Sequence, residues 1–201
     1  MVLYLSIVII ATIVIAVANI LFNPVAMDWA WYWVAMGSVI STIAEIGINA
    51  IFASLIQALP DRYFDPSKKR FIVGKKERRF YEKLGIKSWK EKVWELGALG
   101  GFRKNKIAEP NNPDYLHKFL VEANKGFVIH VVGCFVGFAV IFVLPLKFAW
   151  TIGVPVALVG LFLNILPAMI LRYNSTKLRV AYERARRLKE RAEKTTTEVA
   201  E

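Results

Sequence analysis

Four stretches of this chain are long, apolar and nearly free of charge, and that fact decides what it can fold into. Residues 1–22, 127–146 and 148–171 carry no charged side chain, and residues 29–59 carry one, Glu45. A helix needs about 20 apolar residues to cross a hydrocarbon core of ~30 Å. In lipid only helices and closed barrels satisfy every backbone group, and uninterrupted apolar runs lack the alternation of a barrel strand. The runs therefore predict four transmembrane helices in an all-α, integral membrane fold. The third and fourth are joined by a hairpin turn at Leu144-Pro145-Leu146-Lys147. No Lys or Arg precedes the first run, and it exceeds an ordinary leader core, so it reads as a span despite the cleavage-like Ala16-Val17-Ala18. The chain is 56% hydrophobic, which excludes disorder. Its single cysteine, Cys134, excludes an internal disulfide framework and reads as a packing residue.

Charge gives orientation. Of 27 Lys and Arg, 17 fall between Arg62 and Lys125 and nine between Arg172 and Lys194. The other, Lys147, lies in the predicted turn. With four spans, 26 of the 27 share one face with both termini, and the positive-inside rule makes that face cytoplasmic. The expected organisation is helices one and two over 1–59, a cytoplasmic interfacial segment over 60–126, the transmembrane hairpin over 127–172 and a basic cytoplasmic tail over 173–201. The location implied is the plasma membrane.

The net charge of +11 does not point to nucleic acid. Basic residues interleaved with Tyr63, Phe64, Phe71, Phe80, Tyr81, Trp89, Trp94 and Phe102 beside a bilayer form a layer suited to anionic headgroups. Phe80, Leu84, Trp89, Val93 and Leu96 are spaced as an apolar helical stripe flanked by Lys83, Lys87, Lys90 and Lys92. It is either a helix lying flat on the membrane or a lid over a lipid-facing site. Gly97, Gly100 and Gly101 break it. The run 110–114 is a turn with Asp114 as N-cap candidate. From about Tyr115 a helix continues into the third span. Leu178, Tyr182, Ala185 and Leu188 share one face of a basic amphipathic tail helix, followed by a frayed end from Thr195. No internal repeat is present.

Polar residues at membrane depth cost ~2.5–3.5 kcal/mol on insertion scales and are functional candidates. His130 lies about one turn inside the third span. It is either a general base for acyl or proton transfer or a histidine bonded across the bundle, for instance to Asn164. Glu122 precedes it by eight residues, about 12 Å of helix rise. Asn164 precedes Pro167, which frees a backbone carbonyl in the fourth helix. Arg172, Tyr173 and Asn174 close that helix as interfacial anchors, or meet a phosphate, carboxylate or sugar. Glu45, with Asn49 one turn on, must be protonated, paired or in a wet cavity. His117 reads as a surface residue. Two histidines without clustered carboxylates give no metal set.

Several short strings in fixed order resemble the glycosyl-diaponeurosporenoate acyltransferase family, small membrane proteins of carotenoid glycolipid synthesis. They are Leu59-Pro60-Asp61-Arg62-Tyr63-Phe64, Phe80-Tyr81-Glu82-Lys83-Leu84-Gly85-Ile86-Lys87-Ser88-Trp89-Lys90 and Gly100-Gly101-Phe102-Arg103-Lys104. The helix from Tyr115 to His130, then Asn164 and Arg172-Tyr173-Asn174, complete the pattern, which covers about Leu59 to Arg187. Phe127 and Lys125 precede the histidine here, where members carry a glutamate at the Phe127 position. The resemblance implies transfer of a fatty acyl chain to a hydroxyl, on a sugar, of a lipid-anchored acceptor. It implies an acyl donor such as acyl-CoA as co-substrate and no resident cofactor. It casts His130 and Glu122 as catalytic, Asn164 as donor to an oxyanion, and Arg172, Tyr173, Asn174 and Trp89 as substrate-binding. The other reading is a non-catalytic membrane protein that binds lipid or scaffolds a complex. Oligomeric state is not set by the sequence.

Overall fold

The computed structural model describes residues 2–27, 29–91, 93 and 108–200. The Gly97, Gly100 and Gly101 turn, the Gly100 to Lys104 string and Leu96 lie outside them. Among the described residues the fold is all-helical, without strands. The α-helices among the described residues are, in order, α1 Val2–Phe22, α2 Pro24–Met27, α3 Trp31–Gln57, α4 Lys75–Lys83, α5 Ile86–Trp89, α6 Pro113–Val136 and α7 Val154–Ala200. Four helical stretches are long and apolar enough to cross a membrane: Tyr4–Phe22, Trp31–Gln57, Pro113–Phe142 and Leu146–Thr195. The four-span fold class expected from the apolar runs is therefore present. Contacts divide the chain into two units, Met1–Ala58 with Val128–Pro167, and Leu59–Phe127 with Ala168–Glu201.

The first unit is the apolar one. Ile15, Ala26, Val34, Val140, Phe148, Ile152, Val156 and Ala157 form its core. Large apolar side chains such as Ile10, Val14, Ile43 and Phe142 face outward. In water that exposure would be a liability, whereas in lipid it is the ordinary solvated face. The third span tightens to a 3-10 helix at Gly137–Phe142, and a π-helix at Ala149–Gly153 opens the fourth. Irregular turns in an apolar unit need outside partners for their backbone groups. Buried Asn19 of α1 supplies one such partner, and buried Asn23, just past the end of that helix, joins it. Asn19 Nδ2 donates to the Thr151 carbonyl at 2.7 Å, and Asn23 Nδ2 donates to Thr151 Oγ1 at 2.9 Å and to Asn19 Oδ1 at 2.8 Å. At the turn, the Lys147 ammonium lies 4.4 Å from the centre of the Trp29 ring and 5.6 Å from that of Phe148.

The second unit is built from the flanks of the long helices and the segment after α3. Phe119, Leu120 and Ala123 of α6 pack on Leu171 and Leu178 of α7, with Tyr115, Phe127 and Tyr182 beside them. Three local expectations change here. The helix cap is Asn112, whose Oδ1 accepts from the N–H of Asp114 at 3.0 Å and of Tyr115 at 3.2 Å. Pro113 then takes the first helical position, where its missing N–H costs nothing, so Asp114 sits inside the helix. The stripe from Phe80 is not one helix. Gly85 adopts φ 67° and ends α4, a left-handed step that glycine takes without strain, and α5 starts after it. Trp89 Nε1 reaches back to the Leu84 carbonyl at 3.0 Å and satisfies one of the last acceptors of α4. Finally, Arg172, Tyr173 and Asn174 do not close the fourth helix. α7 runs through Pro167 and through them to Ala200, so the basic tail is its continuation and helix extends past Thr195. Leu178 and Ala185 are buried on the predicted apolar face, whereas Leu188 is exposed.

Replacing Asn19 with Leu removes the donor to the Thr151 carbonyl and an acceptor for Asn23. It should destabilise the first unit by about 1–2 kcal/mol, measured by denaturant-titrated unfolding of the purified chain in mixed micelles.

Candidate functional site

A further set of polar side chains from the spans meets within the first unit. On α3, Ser38, Ser41 and Glu45 are buried on one face, with Asn49 a turn beyond Glu45. Asn49 Nδ2 donates to Glu45 Oε1 at 2.6 Å and to the Glu45 carbonyl at 3.1 Å. Asn164 of α7 donates from Nδ2 to the Gly160 carbonyl at 3.0 Å and approaches Asn49 Oδ1 at 3.5 Å. His130 of α6 places Nδ1 at 3.0 Å from Asn164 Oδ1. Four residues from three helices thus form a continuous polar path through apolar surroundings.

That path needs space, and glycine provides it. A Cβ at Gly133 would lie 2.6 Å from Asn164 Oδ1 and 2.7 Å from Asn49 Oδ1. One at Gly137 would lie 3.0 Å from Glu45 Oε1, and one at Gly160 would overlap the Glu45 carboxylate outright. The sequence reading passed over these three glycines. The signal was there: Gly133 and Gly137 are four apart in an apolar helix, the small-residue spacing that lets helix backbones approach closely.

Asn164 directs both amide hydrogens to acceptors in its own unit. Its carbonyl oxygen therefore faces Nδ1 of His130. Glu122 belongs to the other unit. Its carboxylate meets Lys125 Nζ at 3.4 Å. Lys125 is buried, pairs with Asp61 at 2.6 Å, and lies 5.8 Å from the centre of the Phe64 ring.

The remaining expected site residues form a second cluster, within the second unit. Arg172 grips Glu77 through Nε to Oε1 at 2.7 Å and Nη2 to Oε2 at 3.2 Å, the two-pronged pairing that suits guanidinium and carboxylate. Nη1 donates to the Arg70 carbonyl at 2.8 Å and Nη2 reaches that of Ile72 at 3.5 Å. The guanidinium also lies 5.1 Å from the centre of the Phe127 ring. Tyr173 is 2% exposed, and its hydroxyl donates to Glu82 at 3.3 Å. Asn174 Oδ1 accepts from Lys90 at 3.3 Å. Trp89 packs with Ile86, Ile170 and Tyr173. These four residues are therefore engaged in tying α4 and α5 to α7. Among the described residues no group of three His, Cys, Asp or Glu side chains is placed to hold a metal ion.

A chain with four helices fit to span a membrane, and a histidine bonded to an amide among them, is an integral membrane protein with a polar cluster in its apolar part. Residues 60–184 match the family of glycosyl-4,4'-diaponeurosporenoate acyltransferases, and the chain belongs to that family. It is accordingly a membrane acyltransferase that works with an acyl donor and a lipid or glycolipid acceptor. No curated protein and no solved structure matches it.

The second cluster has a measurable alkaline signature. Burial first, then the Glu77 carboxylate that its hydroxyl meets at 3.1 Å, push the Tyr81 phenol up to about 12. An unfolded tyrosine ionises near ~10. Between those values the folded chain holds the extra proton, so stability is full below the lower value and falls as pH rises toward the upper one. Tyr81→Phe should flatten that fall, read by thermal denaturation across the same pH window.

Proposed function

We propose that the protein transfers a fatty acyl chain to a hydroxyl, on a sugar, of a lipid-anchored acceptor at the cytoplasmic face, with His130 as general base. The observation that carries this reading is the 3.0 Å contact from His130 Nδ1 to an Asn164 carbonyl oxygen whose own amide is fixed elsewhere. It leaves Nε2 as the basic atom, in a ring held in orientation.

In this mechanism the acceptor hydroxyl lies against Nε2 and the acyl carbonyl against the hydroxyl oxygen. As oxygen attacks the carbonyl carbon, Nε2 takes the hydroxyl proton and the ring becomes an imidazolium. Asn164 Oδ1 stabilises that cation through the Nδ1 hydrogen. The tetrahedral intermediate collapses, the new ester forms, and the bond to the donor breaks. With a thioester donor such as acyl-CoA the leaving thiolate recovers the proton from Nε2. The donor's alkyl chain and the acceptor's lipid chains occupy the apolar surroundings of the spans. The orientation rests on the distribution of basic residues, 26 of 27 on the side of both termini.

His130→Ala should lower acyl transfer by about 10²–10⁴-fold. The measurement is lipid mass spectrometry of membranes from cells with the protein, with the variant, and with neither. A lipid that gains one acyl chain only with the unmutated protein supports the reading and names the acceptor. Full product with His130→Ala removes histidine as the base. The orientation has its own check. A reporter fused after Glu201 should be active only on the cytoplasmic side, and a cysteine placed at Lys147 in a Cys134→Ala background should label from outside the cell.

A further inference from the structure

We infer that Glu45 and Asn49 are positioning residues for His130, so that α3 supplies part of the acyl-transfer site although it lies before the stretch, 60–184, that defines the family match. The inference rests on the reading of His130 as base and adds the device that decides which of its nitrogens is basic.

The argument turns on the direction of donation. A side-chain amide has a distinct donor end and acceptor end, so a row of amides has a sense fixed by whatever stands at its end. Here the end is Glu45. Asn49 Nδ2 faces two acceptors of that residue, Oε1 at 2.6 Å and the backbone carbonyl at 3.1 Å, and only the nitrogen of Asn49 fits there. Its Oδ1 is therefore turned toward Asn164, which offers Nδ2 to it at 3.5 Å and to the Gly160 carbonyl at 3.0 Å. The Oδ1 of Asn164 is left for His130, and an acceptor at 3.0 Å requires the proton on Nδ1. Hydrogen atoms point one way throughout, from His130 to Asn164 to Asn49 to Glu45. Reversing either amide would set oxygen against oxygen at the Gly160 carbonyl or at the Glu45 carboxyl. Hydrogen bonds in such a chain polarise one another, and a poorly screened interior makes a misdirected member costly.

The seat of the carboxyl group supports a specified position rather than a chance contact. Gly137 and Gly160, from two different helical segments, approach Glu45 so closely that a methyl group at either would crowd Oε1. Gly133 does the same beside both amides. A carboxyl group at this depth is expensive. General interhelical adhesion would be served by the hydroxyl contacts that α3 already makes, such as Thr42 with Thr12 at 3.0 Å. Adhesion also has no need of a particular histidine tautomer, whereas base catalysis does.

The chain has two histidines, so nitrogen NMR of the full-length protein labelled with ¹⁵N-histidine in nanodiscs can follow His130 alone in a His117→Gln background. The expected unmutated spectrum shows His130 protonated on Nδ1. Glu45→Gln retains an acceptor oxygen for Asn49 and should keep both that tautomer and the turnover number close to their original values. Glu45→Ala takes away the 2.6 Å acceptor and leaves the two amides only their backbone acceptors, so it should raise a minor Nε2-protonated population and lower kcat by about 10–100-fold with KM little changed. Asn49→Leu should act like Glu45→Ala. An Nε2-protonated His130 in the unmutated protein overturns the inference without any variant having to fold. Unchanged tautomer and kcat in a folded Glu45→Ala protein overturn it as well. A fully active His130→Ala would instead overturn the base assignment, while the tautomer measurement would still decide whether Glu45 sets the ring.

Discussion

Inside a bilayer a polar group has no water to turn to, and the architecture of this protein follows from that scarcity. Polar side chains in the apolar unit bond across helices or back to a carbonyl of the preceding turn, as Ser38 does to Val34 and Ser54 to Ala50. Asn19 and Asn23 answer the π turn at Thr151, and Asn49 and Asn164 join Glu45 to His130. The partners are amides, which give and accept at once. A row of them carries direction across the bundle without separating charge. Glycine is the complement of this choice, because bulky amides and a carboxyl group fit between close helices only where the facing residue has no side chain.

The second unit answers a different condition. Its polar groups are abundant, and ion pairs hold short helices that could not persist alone. α4 has nine residues and α5 has four, well below the length at which an isolated helix is stable in water. Arg172 compensates by binding the Glu77 carboxylate and two backbone carbonyls at once, and Tyr173 and Asn174 add contacts to Glu82 and Lys90. The Arg-Tyr-Asn string thus has a sufficient explanation in tethering. A substrate phosphate or sugar at this point would have to compete with Glu77 for the guanidinium.

Much of this was legible in the sequence because it is local. Four spans follow from the length of uncharged runs, and the turn at 144–147 from the proline and the lone cation. The helix from about Tyr115 into the third span follows from the absence of any stop signal. Local rules also account for two misplacements. Asn112-Pro113 outranks Asp114 as a cap because proline prefers the first helical position, and Gly85 divides a stripe that counting apolar residues had joined. What could not be read was partnership over distance. Glu45 and Asn164 are separated by more than a hundred residues, and one sequence carries no record of their proximity. Asn164 as the partner of His130 was foreseeable in kind, since a buried histidine at that depth needs one. The link onward to Glu45 required the glycine seat to be seen in three dimensions.

The lone cation in the turn between the third and fourth spans has a consequence for the lipid itself. Lys147 rests against the faces of Trp29 and Phe148, and indole and ammonium both favour the headgroup boundary over either water or hydrocarbon. Together they fix this end of the spans at one depth. A bilayer with shorter or longer acyl chains cannot easily move that anchor, so a mismatch in thickness must be absorbed elsewhere along the spans. The depth at which His130 sits is then tied to the thickness of the membrane around the protein.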